Sequence, residues 1–193
     1  MTIGVAGMES NFISADVSEL SSVIPQIKAG GRVLLSGEIY TARDAAHVRL
    51  MQLLDTGEDL PFDIRGAVIY YAGPTPGKGG RPLGSCGPTT SSRMDAFAPR
   101  LYDGGLLATI GKGERSATVC DSIVRNSALY LCSVGGAGAL ISKHITSAEE
   151  IAFFDLGCES IKRLTVESMP LTVGVDSGGG DIFKIGRERY SQL

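Results

Sequence analysis

The sequence has few residues of the kinds that build metal sites, and it carries no strong charge of either sign. It contains 4 cysteines and 2 histidines in 193 residues. No two cysteines form a CxxC pair, which argues against a zinc ribbon or a self-contained cluster motif. His47 and His144 are too few for a histidine-based metal site, so we predict no metal ligand in this chain. The net charge of −3 gives no electrostatic reason to expect nucleic acid as a partner.

Targeting and membrane segments are also missing from the sequence. Residues 1–20 lack a basic region followed by an apolar run, so we expect no secretory signal. No stretch of about twenty apolar residues occurs, so no segment is expected to span a membrane. We therefore predict a cytoplasmic protein whose thiols stay reduced.

Glycine is abundant, with 26 residues, and the remaining composition is ordinary for a globular protein. Glycine supplies tight turns and lets a ligand approach the main chain, so we expect a site built partly from backbone. The twenty residues from 73 to 92 form a stretch rich in glycine and proline, which predicts a long loop. A long loop inside a compact domain is more often functional than disordered. We treat residues 1–193 as one domain.

Apolar runs and helical spacings alternate along the chain. The segments that we interpret as strands are 14–20, 32–40, 66–72, 106–110 and 128–134. Helices are expected to begin at 41 and near 140, and to cover 93–101 and 115–126. This alternation predicts the α/β class. We assign no element between the helix near 140 and residue 173, and we predict a terminal hairpin from strands at 173–176 and 181–183.

The helix that begins near residue 41 has clear start and stop signals. Thr41 is predicted to cap it, and the carboxylate of Asp44 favours its positive end. Thr56 and Gly57 are typical of its end.

Three glycine-flanked segments that follow predicted strands each place one cation beside small polar groups. They are TARD at 41–44, GPTTSSRMD at 87–95 and GKG at 111–113. Ligands of α/β folds bind at the carboxyl ends of strands, so we expect Arg43, Arg93 and Lys112 to converge there. Guanidinium groups bind carboxylates through paired hydrogen bonds, and this set of cations suits a substrate with two negative charges.

These motifs, with two others, resemble a known family. The segments that carry the resemblance are YTARDAAH at 40–47, YYAGPTP at 70–76, GSCGPTTSSRMD at 84–95, IGKG at 110–113 and GGAGAL at 135–140. They look like the β subunit, or C-terminal domain, of class I fumarate hydratases and L-tartrate dehydratases. The long GPTTSxRMD motif followed by GKG is the most specific part.

The resemblance implies a fold, a reaction and a partner. The fold is a single-domain swivelling β/β/α domain of the α/β class. The reaction is the reversible hydration of fumarate to (S)-malate, with L(+)-tartrate dehydration as the alternative. The partner is a larger α subunit that carries a 4Fe–4S cluster through its own cysteines. Pairing of two β subunits with each other is left open.

The resemblance also implies roles for individual residues. Arg43 and Arg93 correspond to the carboxylate clamps, Lys112 to a further substrate contact, and Thr89 to the residue that abstracts the proton. A threonine hydroxyl is a poor base alone, and we select Asp44 as the group that orients and activates it. A group from the α subunit is an equal alternative.

Each of these features also has a purely structural interpretation. Arg43 and Asp44 are compatible with a first-turn ion pair on a solvated helix. Thr90 or Ser91 would cap the helix after the GPTTSSRMD loop. His47 is expected to be a helix-face residue. The glycines of 135–138 would either bind an anion through backbone N–H groups or allow close packing. A non-catalytic module that binds a dicarboxylate would keep the cations without needing Thr89.

Overall fold

The computed structural model describes residues 12–191 as seven strands, six α-helices and short 3₁₀ turns. The strands are β1 (Phe12–Asp16), β2 (Arg32–Thr41), β3 (Val68–Tyr70), β4 (Ala108–Gly111), β5 (Leu129–Cys132), β6 (Ile145–Ala152) and β7 (Ile161–Val175). The helices are α1 (Leu20–Val23), α2 (Asp44–Thr56), α3 (Ala98–Asp103), α4 (Ala117–Arg125), α5 (Gly138–Ile141) and α6 (Ile182–Tyr190). The predicted α/β class is confirmed. No helix within residues 12–191 is long and apolar enough to cross a membrane.

The strands form one sheet that closes on itself. The order is β1-β2-β3-β4-β5-β7-β6, and β7 also pairs with β2. Strands β2 to β5 are parallel, whereas β7 runs antiparallel to both β5 and β2. Five strands therefore make a closed ring, while β1 extends β2 and β6 extends β7. Among residues 12–191, β1 and β6 are therefore the strands at the edges of the sheet.

The apolar residues form two layers, one on each face of the parallel strands. On β3, Val68 and Tyr70 belong to the cluster inside the ring, and Ile69 belongs to the cluster under the helices. On β5, Leu131 and Tyr130 divide in the same way. Burial on both faces explains why these strands are continuous apolar runs rather than alternating ones.

Helices α2, α3 and α4 cover the outer layer. Ala46 and Leu50 of α2, Leu101 of α3 and Ile123 of α4 are all at most 1% exposed in that cluster. Helix α2 ends as predicted, because Gly57 adopts a left-handed conformation with φ of 72° and its N–H bonds to the carbonyl of Leu53.

Several predicted elements are wrong. Residues 14–20 begin as strand β1 but turn at Val17 into helical structure. The terminal hairpin is a single bridge between Val175 and Asp181, after which Asp181 caps α6. Two strands, β6 and β7, occupy the stretch to which no element was assigned, and β7 alone has 15 residues.

Thr41 does not cap α2, which is a further correction. Arg43 occupies the N-cap position, and its side chain makes no capping hydrogen bond. The Thr41 hydroxyl instead accepts a hydrogen bond from the backbone N–H of Lys162 at 3.0 Å and donates to the carbonyl of Ser160 at 3.4 Å. Local capping rules assign the Thr41 side chain to the N-terminus of α2, but the side chain bonds to the start of β7 instead.

Two glycine-to-alanine substitutions test the packing with opposite expected signs. A Cβ on Gly174 of β7 would lie 2.7 Å from Tyr130 Cδ1 and 2.8 Å from Cys132 Sγ. Gly174→Ala should lower the free energy of unfolding by about 1–3 kcal/mol through overpacking. Gly186 of α6 has open space around it, so Gly186→Ala should raise stability by up to about 1 kcal/mol. Urea unfolding of both variants measures this, and equal effects would contradict the packing described.

Candidate active site

The three charged signatures lie where the sequence predicts, at the carboxyl ends of the parallel strands. Arg43 follows β2, and Lys112 follows β4. The loop after β3 returns to this edge, because the N–H of Thr89 donates to the carbonyl of Tyr71 at 2.7 Å. Thr90 then forms a parallel bridge with Lys112. Backbone pairing thus joins the GPTTSSRMD and GKG segments side by side.

Two carboxylates hold the guanidinium of Arg43. Its Nε lies 3.0 Å from Asp44 Oδ2 and 3.4 Å from Glu159 Oε1. Glu159 also accepts a hydrogen bond from the backbone N–H of Ala45 at 3.0 Å. The cap of α2 therefore comes from the turn before β7, and nothing in the local sequence around α2 points to Glu159.

Arg93 joins the same cluster and reaches Thr89. Its NH2 lies 3.2 Å from Asp44 Oδ2, the same oxygen that contacts Arg43. The NH2 group also donates a hydrogen bond to the hydroxyl of Thr89. Four of the five predicted site residues are therefore connected, with Arg93 standing between Asp44 and Thr89.

Lys112 is the fifth predicted residue, and it lies at the same edge of the sheet, directly after β4. Among the described residues its side chain forms no hydrogen bond or salt bridge with the other four. Its Cδ and Nζ lie 3.3 and 3.6 Å from the position that a Cβ on Gly135 would take. Lys112 thus lies against the glycine-rich segment that follows β5.

Glycine at two signature positions makes room for two cations. A Cβ on Gly73 would lie 3.2 Å from both Cδ and NH1 of Arg43. Gly135 serves Lys112 in the same manner. These contacts are tighter than ordinary van der Waals contacts, so a Cβ at either position would push the neighbouring cation aside slightly.

A buried charged network supports the site from beneath, and the sequence analysis did not single out its members. The side chain of Arg115 is 0% exposed and lies 2.7 Å from Asp95 Oδ1. Arg115 also lies over the rings of Tyr71 and Tyr130, 5.3 and 5.0 Å from their centroids. Asp95 belongs to the RMD motif, and Arg115 follows GKG, so this pair ties together the two loops that carry Arg93 and Lys112. Their positions beside two signatures are the only sequence signal that could have revealed them.

Asp44 is held in its charged form. Burial tends to raise the pKa of Asp44, but hydrogen bonds from Arg43 and from its own backbone, with the charges of Arg93 and Arg43, hold that pKa below its ordinary value of 3.8. Asp44 is therefore a carboxylate at neutral pH and a weak proton acceptor.

His47 is a buried neutral residue below Arg43. Burial lowers the pKa of His47 to about 4, although the hydrogen bond to Arg43 opposes this. Because the Arg43 carbonyl can only accept, Nδ1 carries the proton and donates it across 3.1 Å. Nε2 has no partner among the described residues.

Other structural interpretations are settled by the contacts. Thr90 stands at the N-cap of the turn Ser91–Met94 but makes no side-chain capping bond. Ser91 instead bonds to the hydroxyl of Tyr130 at 2.9 Å. Cys86 is a buried thiol, and burial raises its pKa to about 12. Gly138 packs against the loop after β3, here called the active loop, where the Gly138 carbonyl accepts a hydrogen bond from the N–H of Cys86 at 3.0 Å.

No group of three histidine, cysteine, aspartate or glutamate side chains within residues 12–191 could hold a metal ion. The cysteines lie on separate elements: Cys86 in the active loop, Cys120 in α4, Cys132 at the end of β5 and Cys158 in the turn before β7. The described residues of this chain therefore offer no set of ligands for an iron–sulfur cluster.

Fold and site together define an α/β domain that gathers cations at the carboxyl ends of parallel strands. A family model described as the fumarase C-terminus matches residues 6–186. The chain belongs to this family, and the resemblance expected from the motifs is confirmed.

Its relatives named below are hydro-lyases. An anaerobic class I fumarate hydratase of Escherichia coli K12 is 37% identical over 174 residues, covering 89% of this chain and 32% of the relative. Fumarate hydratase 2 of Leishmania major is 36% identical, covering 86% and 30%. A putative L(+)-tartrate dehydratase subunit beta of Methanocaldococcus jannaschii is 33% identical, covering 88% and 91%. The chain thus spans about a third of the length of the fumarate hydratases it matches.

The lowered pKa of His47 leads us to expect that the protein loses stability in acid. An unfolded histidine titrates near 6.5 and His47 near 4 when folded, so only the unfolded state binds a proton between these values. The contribution is complete above about pH 6.5 and is lost as pH falls towards 4, with about 2 kcal/mol lost between pH 7 and pH 5. Urea unfolding at both values measures this loss.

A matched pair of variants assigns that loss to His47. His47→Gln should show a smaller loss between pH 7 and pH 5 than the wild type, whatever its absolute stability. His144→Gln, at the half-buried second histidine, should keep the wild-type loss. An unchanged loss in His47→Gln would show that another group causes it.

Proposed function

We propose that this chain is the β subunit of a hydro-lyase that interconverts fumarate and (S)-malate. The observation that carries the proposal is the contact cluster in which Arg43 and Arg93 share Asp44 while Arg93 also touches the hydroxyl of Thr89. It combines two carboxylate-binding groups with one group that can move a proton. The 37% identity to a fumarate hydratase supports the same reaction class. We also propose that the closed sheet is the swivelling β/β/α fold that the family resemblance implies.

The charges of the cluster suit a dicarboxylate. Arg43 and Arg93 pair with the carboxylates of Asp44 and Glu159. Lys112 adds a cation at the same edge of the sheet, so these five groups carry one net positive charge before the substrate enters. Removal of a proton beside a substrate carboxylate builds enolate-like charge on it. Cations that are already fixed in place stabilise such charge most effectively.

Thr89 is the residue proposed to take the proton from malate. To do so it must pass its own hydroxyl proton to an acceptor before or during the transfer. Asp44 is a weak acceptor because its pKa is lowered, so we propose that a group of the α subunit receives this proton. A cation beside an oxygen favours its deprotonated form, and Arg93 donates to Thr89 Oγ1. Arg93 contacts both Asp44 and Thr89, and we propose that Asp44 orients Thr89 through Arg93.

The remaining machinery is proposed to lie on a partner. The chain spans about a third of the fumarate hydratases it matches, and the Methanocaldococcus relative is named as a subunit beta. We therefore propose a larger α subunit that carries the 4Fe–4S cluster, because the described residues of this chain offer no ligand set for it. The substrate would bind between this edge of the sheet and that subunit.

L(+)-tartrate dehydration is the second candidate reaction. The observation that favours it is the 33% identity to the putative tartrate dehydratase subunit over 177 residues. Tartrate also presents two carboxylates, so the same cations would bind it. Assays of the reconstituted complex on fumarate, malate and tartrate decide between them, and activity on none would favour a binding module.

Thr89→Val tests the proposed chemistry. Valine keeps the shape and removes the hydroxyl, so the fold and the pairing with the partner should survive. In the anaerobic complex, turnover should fall by roughly 10²–10⁴-fold with little change in substrate affinity, as expected for a general base. Exchange of the malate proton with deuterated solvent should be lost in parallel.

Thr90→Val is the matched control for this experiment. Thr90 is exposed and makes no side-chain capping bond. Its replacement should therefore leave turnover near the wild-type value and stability within about 0.5 kcal/mol. If Thr89→Val exchanges the malate proton at the wild-type rate, the base lies elsewhere, and Asp44 or the partner subunit becomes the first candidate.

A further inference from the structure

Residues 157–162, here called the clasp, are fastened to the TARD signature from across the molecule. Lys162 donates its backbone N–H to the hydroxyl of Thr41 at 3.0 Å, and that hydroxyl donates to the carbonyl of Ser160 at 3.4 Å. Within the clasp, Lys162 Nζ donates to the carbonyl of Gly157 at 3.1 Å and also bonds to Ser160 Oγ. These bonds make the clasp a fixed support beside Arg43.

Glu159 lies at the centre of the clasp and divides its carboxylate between two tasks. One oxygen accepts from the N–H of Ala45 at 3.0 Å, which caps α2. The other lies 3.4 Å from Nε of Arg43, and the Glu159 side chain is only 24% exposed. Gly73 also brings its backbone against Arg43, and the carbonyl of Cys158 in the clasp lies 3.3 Å from the position of a Gly73 Cβ. Arg43 therefore lies against both the clasp and the loop after β3.

Both carboxylates that hold Arg43 do so through Nε. Within residues 12–191 the side chain of Arg43 donates its one hydrogen bond from Nε, to Asp44. Because Nε is taken, the terminal nitrogens NH1 and NH2 remain as a pair that can bind a carboxylate with two parallel bonds. A guanidinium fixed at Nε presents this pair in a set direction.

We propose that Glu159 is a positioning residue for substrate binding, which holds the Arg43 guanidinium so that NH1 and NH2 meet a substrate carboxylate. The inference rests on the proposed role of Arg43 as a dicarboxylate clamp. It gives the β6–β7 connection a part in the site, and it separates two functions of Glu159, capping and orientation. Capping needs only an acceptor oxygen, whereas orientation of a cation needs the charge.

Glu159→Gln separates these two functions in the anaerobic complex with the α subunit. The amide oxygen still accepts from Ala45 N–H, so the melting temperature should stay within about 2 °C of the wild type. The Kd for succinate, a four-carbon dicarboxylate that does not react, should rise roughly fivefold, the scale of one partly exposed ion pair. The KM for malate should rise equally, with kcat within about twofold of the wild type. Glu150→Gln is the control, because Glu150 pairs with Lys162 at 3.6 Å without contacting Arg43, and it should bind succinate normally.

A double-mutant cycle with Arg43→Lys shows whether Glu159 acts through Arg43. Lysine lacks Nε and the fork, so in that background Glu159→Gln should change the succinate Kd by less than about twofold. A persistent fivefold effect, or wild-type affinity in Glu159→Gln itself, overturns the inference while leaving the proposed function intact. Failure of the wild-type complex to bind succinate removes the proposed function and this inference with it.

Discussion

The antiparallel pairing between β2 and β7 is the contact on which both the fold and the site depend. It closes the ring of strands, and its register places Thr41 opposite Lys162. Because β2 ends where the TARD signature begins and β7 starts just after Glu159, one set of backbone hydrogen bonds brings these segments together. A shift of one residue would turn the alternating side chains of β7 to the other face. It would also carry Glu159 away from Ala45 and Arg43, so the register that fills the core also sets the geometry of the cations.

Shared carboxylates let two arginines stand close together without a substrate. Asp44 Oδ2 contacts both Arg43 and Arg93, whose side chains are 25% and 45% exposed. Ion pairs this exposed contribute little to stability individually, typically about 0–1 kcal/mol. Their greater effect is on placement, because each guanidinium loses freedom before the substrate arrives. Groups oriented in advance stabilise developing charge without reorganising during the reaction.

Local patterns account for the parts of the fold and site that the sequence predicts. The apolar runs of β3 to β5, the end of α2 at Gly57 and the position of each cation after a strand are all short-range features, and the structure has them. The role of Thr89 remains a prediction that rests on the family resemblance, and the role of Asp44 remains a prediction from the chemistry of a threonine base. The missed features depend on distant partners: β7 pairs with β2 from more than a hundred residues away, and register shifts interrupt its pairing. Local capping rules predict that Thr41 caps α2, whereas its hydroxyl bonds to the backbone at the start of β7.

The glycine-rich signatures show why composition alone could not locate the site. A run of glycines indicates a turn, and Gly136 does adopt a left-handed φ of 82°. Gly73 and Gly135 have a different reason to be glycine, since a Cβ on either would lie only 3.2–3.3 Å from the side chain of Arg43 or Lys112. Each cation is thus held from behind by bare backbone and, for Arg43, from the side by carboxylates. An arginine that is packed against backbone on one face and bonded at Nε has its terminal nitrogens left to bind a substrate. The close approach of the Gly73 backbone to Arg43 therefore helps to set the direction in which the site presents its positive charge.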